Sequence, residues 1–531
     1  MAETYDLIVI GGGHNGLAVA AYLARAGQRV IVLEHGERVG GGLSTEEVTL
    51  PGFKHNLHSQ GHREGPVNRT LELEKHGLRY VRPDPNYSMV FEDGSSLCLY
   101  KDLERTVENI AQFSKHDAVA YRKLFDKFKH LRQIVLSSWY MPPLPLSKTY
   151  QVFEGTEDGR LFLYILNSSP MSVMDAFFEH PRVKAWALLM SMQGSIAPDA
   201  FGMGALIPLL FVGMHDHPYG VCVGGSWEMA RAMQACLEEA GGTVRTGARV
   251  RKILLEQGEA RAVLLEDGTE IRAKKAIASN TNVRMTMLDL VGEEHLEADF
   301  ARGVRAFEGD ELALLTVHYA LDEAPRFVAA QGNPDVARCW LIAWGVENPR
   351  HIQEIVNDIR ARTLPRRILG FGGSPTANDP SQAPPGKHTA FIWTFVPYHL
   401  PQGPESWPRV QEAYADAIQA AWRAYAPNMT GDAILGRYVY TPRDIELKVP
   451  SMFHGSIQHG HAGPNQLGPF RPVPGWANYR MPIKKLYLCG SSAHPMGGIA
   501  GAPGFNAAGV ICDDLGLKKW WWRSREERRK G

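Results

Sequence analysis

Asp6-Leu-Ile-Val-Ile-Gly11-Gly-Gly13-His-Asn-Gly16-Leu, followed by an apolar run that closes at Glu34, decides how this chain folds. Leu7 to Ile10 is an aliphatic, β-branched run of the kind a strand buried on both faces requires, and the glycines begin where that strand should end. The pattern predicts a strand, a tight turn and a helix over about Asn15 to Ala26, with Gly27 as its C-cap residue. Arg29 to Leu33 then reads as a second, parallel strand. Gly11 permits the turn, Gly13 admits a close approach to a pyrophosphate, and Gly16 lets the helix pack tightly on the strand. Unpaired N–H groups and the helix dipole at that N-terminus favour a negative phosphate. Glu34, at the tip of the second strand, is suited to accept hydrogen bonds from the ribose hydroxyls of an adenosine and to repel a 2′-phosphate, which disfavours NADP.

What distinguishes FAD from NAD is the next stretch, Arg38-Val-Gly-Gly41-Gly42-Leu43-Ser-Thr45. It resembles the second FAD-contacting motif of the amine oxidase and phytoene desaturase superfamily, whereas an NAD dehydrogenase usually runs straight into another βα unit. Far downstream, Leu486-Tyr-Leu-Cys-Gly490 reads as a buried strand ending in glycine. His494-Pro-Met-Gly-Gly498-Ile499-Ala-Gly501 then feeds a helix over about Gly504 to Leu515. That arrangement sets a helix N-terminus and bare N–H groups against the flavin edge where the reduced ring gathers negative charge. Between these ends, Gly224-Gly225 precedes a helix stopped by Gly241-Gly242. Thr243 to Leu255 and Ala260 to Leu265 alternate as strands, and Asp267-Gly268 is a hairpin turn leading to Ile271 and Ala276-Ile-Ala-Ser-Asn280.

These stretches resemble the phytoene desaturase-like branch of FAD-dependent amine-oxidase-fold proteins, with a likeness to the pyridine nucleotide-disulphide oxidoreductase domain-containing proteins and to carotenoid ketolases of phytoene desaturase type. Asp379 to His388, Met452-Phe-His454-Gly455 and Phe470-Arg-Pro472 support it, and it spans residues 1 to about 517. The sequence departs from the desaturases at Met496, where they usually carry glycine, and at Ala500, where they often carry proline. The implied fold is α/β: a Rossmann-like FAD-binding domain (GR2-type flavoprotein) with an inserted α+β substrate domain. The resemblance assigns cofactor contacts to Gly11, Gly13, His14, Asn15 and Gly16 at the first motif, and to Glu34 and His35 beyond the second strand. Arg38, Gly41, Gly42 and Leu43 follow in the second motif, Val250 meets the adenine through its backbone, and Gly490, Gly498 and Ile499 close the site from the C-terminal side. The expected FAD-binding domain is discontinuous, over 1–70, 215–290 and 480–517. The substrate domain is expected over 71–214 and 291–479, and a basic Trp-rich tail over 518–531.

Composition narrows the function. Of 531 residues, 57 are basic and 57 acidic, so no whole-chain field attracts nucleic acid. The six cysteines are scattered with no CxxC or metal spacing, which fits a reducing, cytoplasmic compartment and disfavours a disulphide reductase. No second glycine fingerprint provides a separate NAD(P)H domain, so O₂ or a quinone is the expected electron acceptor. The first residues lead directly into a strand without a basic leader, so secretion is not indicated. Ala185 to Met214 is uncharged except for Asp199 but is interrupted by Pro198 and Pro208, and reads as a buried or bilayer-facing substrate wall. The tail, from Lys518 to Lys530, joins Trp520, Trp521 and Trp522 to seven basic residues. It reads either as a peripheral membrane anchor or as tryptophans packed on the protein or on another subunit of an oligomer.

Catalytic candidates are histidines. His55, His58 and His62 follow the second FAD motif, His454, His459 and His461 lie in a glycine-rich loop, and His494 adjoins the flavin by family resemblance. Of these, His58, His62, His454 and His494 are the candidates for orienting substrate or moving a proton, with hydrogen-bonded structural roles as the competing reading. No metal site is expected, because no carboxylate or cysteine pattern completes one. The reading favoured by these features is an FAD-dependent dehydrogenase or desaturase taking a hydride from a C–H bond of a hydrophobic, isoprenoid or aromatic substrate. A flavin oxidase or oxygenase, such as a carotenoid ketolase or amine oxidase, and a redox-neutral isomerase are the alternatives.

Overall fold

Leu7, Ile8, Val9 and Ile10 are at most 3% exposed, and this burial fixes the centre of the molecule. In the computed structural model, which describes residues 3–522, they belong to the strand Glu3–Ile10 at the middle of a parallel core. Val30–Leu33 lies parallel on one side of it, with Ile8 opposite Ile31, and Glu270–Ser279 parallel on the other, with Ile8 opposite Ile277. Leu486–Leu488 adds a further parallel partner to the end of Glu270–Ser279. The helix His14–Arg25 begins immediately after the turn, and Gly27, at φ 81°, ends its C-terminal turn. The hairpin at Asp267-Gly268 forms as its sequence predicts, joining Glu259–Leu265 to Glu270–Ser279.

One expected run divides. Thr243–Arg245 pairs with Val30–Leu33, whereas Val250–Glu256 pairs with Glu259–Leu265 at the opposite edge of the sheet. Gly247, at φ 62°, lies in the connection between them. Alternation of side chains reports which face a residue takes, not which neighbour its backbone bonds, so the crossing leaves no trace in the period-two pattern.

A second seven-stranded sheet contains Tyr87–Val90, Ser96–Leu99, Ala313–Leu321, Leu341–Trp344, Gly370–Gly373, His388–Val396 and Ile434–Tyr440. Its strands, apart from the edge strand Ile434–Tyr440, are largely buried on both faces and divide two cores between them. Leu315, Val317, Tyr319 and Ile392 pack toward the helix Trp407–Trp422. Leu314, Phe391 and Phe395 face a helical layer that includes Lys115–Trp139, Pro181–Met192 and Leu206–Asp216. The uncharged stretch from Ala185 to Met214 thus occupies two short helices and their link. No helix among the described residues is long and apolar enough to cross a membrane.

The C-terminal helix, Ala502–Asp514, packs against His14–Arg25. Trp520 and Trp521 fold back onto the same helix: their rings lie 5.7 and 4.5 Å from Tyr22, and the Trp520 indole donates to the Tyr22 carbonyl. Arg25 covers Trp520, whereas Trp522 is half exposed. The basic residues from Arg523 onward lie outside the described residues.

The two helices meet through glycine. A Cβ on Gly504 would lie 2.3 Å from the Asn15 backbone carbonyl oxygen, while one on Gly509 would meet nothing within 4 Å. Gly504→Ala is therefore expected to cost about 1–3 kcal/mol through forced separation of the helices. Gly509→Ala, in the same helix, is expected to be neutral or to stabilise by up to about 1 kcal/mol. Thermal unfolding of the two variants at matched FAD loading checks the contrast.

Candidate active site

Both ends of the chain line one cavity of about 570 Å³. From the first motif come Gly11, Gly13, His14 and Asn15; from the last come Ser491, Gly497, Gly498 and Ile499. Asn15 connects them directly. Its side-chain amide donates to Ser491 Oγ at 3.1 Å, and its side-chain carbonyl oxygen accepts from the Gly504 N–H at 3.4 Å. Asn280, at the end of the adjacent strand, donates to the Gly11 carbonyl at 3.2 Å and closes the glycine turn from below. A Cβ on Gly16 would stand 2.2 Å from the Gly11 carbonyl oxygen, so that position requires glycine, while one on Gly13 would press on the Asn280 side-chain amide at 2.9 Å.

Glu34 and Val250 mark one end of the cavity. The Glu34 carboxylate is 5% exposed; it accepts from the Gly12 N–H at 2.7 Å and the Gly36 N–H at 2.8 Å, and pairs with His35 Nδ1 at 2.7 Å. Burial opposes its ionisation, but the hydrogen bonds from His35 and Gly36 prevail and hold it below the usual carboxylate range. An ionised, anchored acid facing a glycine-lined cleft suits the ribose of FAD. The bare backbone at Gly13 and the helix beginning at His14 suit its pyrophosphate.

The remaining sequence-selected positions are distributed around this cavity. His35, Gly41 and Gly42 line it. Gly16, Leu43 and Gly490 support it from the core: a Cβ on Gly490 would meet the Asn280 carbonyl at 2.7 Å, and Leu43 is fully buried. Arg38 points outward, pairing with Glu46 at 3.2 Å and covering Trp227. Among the four histidines singled out, His58 reaches the cavity, but its two ring nitrogens are taken by Ser44 Oγ at 3.2 Å and Tyr440 Oη at 2.9 Å. His62 contacts Cys222 Sγ at 3.0 Å behind the wall, His494 faces the Ser138 carbonyl at 3.1 Å, and His454 stacks on Tyr398 away from the cavity. His14 and His459 are the other imidazoles at the cavity surface. Burial pushes His14 and His494 down to about 4, and His58, His62 and His459 to about 3, so all five are neutral at physiological pH.

Opposite the adenosine end, the wall is apolar and aromatic. Trp139, Met190, Ile196, Leu206, Leu210, Trp340 and Trp393 line it, with Gln60, Arg63 and Gln193 among them. These side chains come from separate helices, strands and loops, so no contiguous motif announces them. Arg471, within the Phe470-Arg-Pro472 stretch, is the other residue whose role emerges only in the fold. Fully buried, it donates to the carbonyls of Gln458, His459, His461, Gln466 and Ser491, tying the histidine-bearing loop to the C-terminal motif. Burial lowers this guanidinium to about 9.

This cavity and sheet define a dinucleotide-binding flavoprotein, and the comparisons with known proteins agree. The model of the flavin-containing amine oxidoreductase family matches residues 16–281. A limonene dehydrogenase subunit of Castellaniella defragrans is 33% identical, over 97% of this chain and 96% of its own length. A lycopene-forming phytoene desaturase of Paracoccus sp. is 26% identical, over 96% of this chain and 97% of its own. The fold also resembles the crystal structure of an oxidoreductase from Methanosarcina mazei, with a TM-score of 0.63 at 18% identity, covering 96% of this chain and 99% of that one. The chain belongs to the flavin-containing amine oxidoreductase family and is an FAD-dependent oxidoreductase. Within that class it is phytoene desaturase-like.

The buried neutral histidines set the acid limit of stability. Below pH 6.5 the unfolded chain takes up protons that these histidines refuse in the folded state, until the pH reaches their lowered values of about 3 to 4. Each contributes about 1.4 kcal/mol per pH unit in that window. Asp310, raised by burial to about 7, acts in the opposite sense between pH 3.8 and 7, and cancels about one histidine. The melting temperature is expected to fall steeply between pH 6.5 and 5 and to be nearly flat from 7 to 8. A pH series of thermal denaturation curves checks this, and a flat profile through pH 5 would exclude neutral burial.

Proposed function

We propose that this protein is a dehydrogenase that removes a hydride from a C–H bond of a hydrophobic, isoprenoid-like substrate. The observation that carries the reading is the division of one cavity into a polar, glycine-lined arm and an aromatic and aliphatic chamber. FAD, when bound, would supply the two-electron acceptor for the hydride, with O₂ or a quinone as the terminal oxidant. The chain supplies the rest. Trp139, Trp340 and Trp393 exclude water and hold an apolar body in place, and Gly498 and Ile499 bring side-chain-poor backbone to the cavity surface.

The cavity carboxylates are Glu34, Glu266 and Asp289. Glu34 is engaged by Gly12, Gly36 and His35, Glu266 pairs with Arg249 beside Val250, and Asp289 shares the segment of Met285 and Leu290. None of the residues in the aromatic chamber is a carboxylate. A substrate that delocalises positive charge after hydride loss has no need of a strong base, and an alkene or polyene does this through an allylic cation. The accompanying proton is released to water or to a neutral imidazole that lines the cavity, such as His459. Names of similar proteins support the substrate class: one is a limonene dehydrogenase subunit and another a phytoene desaturase.

Under strict anaerobiosis, isoprenoid alkenes are expected to bleach the flavin absorbance of the purified protein, and amines and NAD(P)H are not. Bleaching by amines alone would establish an amine oxidase instead. Reduction by NAD(P)H alone would establish an oxygenase or a redox-neutral isomerase.

A further inference from the structure

The aromatic chamber contains a charge that the dehydrogenase reading leaves unused. Arg63 lines the cavity beside Gln60 and Gly61, with its guanidinium 4.5 Å from the Tyr219 ring centroid. Its Nε and Nη2 are sealed from solvent and donate to no acceptor among the described residues. Those two N–H groups form one edge of the guanidinium, with the parallel spacing that a carboxylate accepts in bidentate fashion. The adjacent acid does not serve it, because Glu64 pairs with Arg82.

A second guanidinium stands behind the first. Arg132, on the helix Lys115–Trp139, is 4% exposed, and its Nε also lacks an acceptor. Both side chains converge on Gly213: a Cβ there would lie 3.0 Å from Arg132 Nε and 3.3 Å from Arg63 Nη1. Burial and the neighbouring Arg63 charge hold Arg132 below its usual value, against the pull of Asp216. Asp216, 3.3 Å from Arg132 Nη1, is the one carboxylate paired with these two cations among the described residues. An excess positive charge withdrawn from water is costly unless an anion meets it. FAD does not supply that anion in this arrangement: its phosphates suit the Gly13 and His14 turn and its ribose suits Glu34, whereas Arg63 sits among Trp139, Tyr219 and Trp340 in the chamber.

We propose that Arg63, reinforced by Arg132, anchors a carboxylate on the substrate, so that the molecule oxidised here has an apolar, unsaturated body and an acidic end. The inference rests on the reading of the chamber as the substrate site and specifies its ligand. Binding turns the Nε and Nη2 edge off the wall and into the cavity by rotation about the side-chain torsions of Arg63. The carboxylate then fixes the position of the apolar body along the chamber, which selects the C–H bond presented for oxidation.

The test compares geranic, farnesoic and retinoic acids with their methyl esters, titrated into the FAD-loaded protein. Binding is followed both by perturbation of the flavin spectrum and by tryptophan fluorescence, since Trp139, Trp340 and Trp393 line the chamber. At least one acid is expected to bind about tenfold or more tightly than its ester. Arg63→Met is expected to remove that preference while leaving ester affinity and flavin content unchanged, and Arg63→Lys to retain part of it. Equal binding of every acid and its ester by the unmodified protein overturns the proposal without recourse to any variant. So does an Arg63→Met protein that keeps the acid preference but loses flavin, because Arg63 then serves the cofactor. Binding is read without turnover, so an acid preference in a protein whose flavin no alkene bleaches would refute the dehydrogenase reading and leave the anion site standing.

Discussion

The contact between the backbone of Asn15 and that of Gly504 is the constraint on which this architecture depends. Two helix N-termini can serve one cofactor only if their first turns approach closely, and the Asn15 carbonyl stands where a side chain at residue 504 would begin. The Asn15 side-chain amide strengthens the approach by bonding both Ser491 and Gly504. Much else follows from it. The strand Leu486–Leu488 must lie beside Glu270–Ser279 to deliver that second helix, and Arg471 holds the intervening loop against Ser491. Everything between the two motifs is free to be elaborated into the second sheet and the helices that wall the chamber.

The parts of this design that are contiguous in sequence were legible there. The strand, turn and helix from Asp6 to Arg25, the Asp267-Gly268 hairpin and the buried strand before Gly490 each carry their signal within a few neighbouring residues. Local sterics and hydrogen bonding decide such segments, so pattern suffices. The crossing between Arg245 and Val250 was not legible, because strand partnership is a tertiary choice. Nor was the chamber: Trp139, Trp340 and Trp393 come from a helix end, a loop and a strand, and nothing in their local surroundings marks a shared cavity. Arg63 was hidden for a related reason. Its distinction is that Nε and Nη2 meet no acceptor among the described residues, and a sequence does not record which donors go unmet after folding.

The electrostatics of the two arms are opposed in character. Around the adenosine end a carboxylate is kept ionised by hydrogen bonds, and around the middle the imidazoles are kept neutral by burial. Removal of water disfavours the charged form at both places; at Glu34 the donors of His35 and Gly36 outweigh it, and at the imidazoles nothing does. A site that moves electrons and a proton benefits from few groups that change charge near neutral pH, because the field at the reacting atoms then stays constant.

The long separation of Asn15 from its partners also has a consequence for biosynthesis. Ser491 and Gly504 lie 476 and 489 residues further along the chain, so nearly the whole polypeptide must leave the ribosome before the cleft has its second wall. The first motif emerges early with its anion-binding turn and no opposing helix. Secure capture of FAD is therefore a late event in the life of each molecule, coupled to docking of the last helix. A chain interrupted before that helix would forfeit cofactor retention even with its entire nucleotide fingerprint intact.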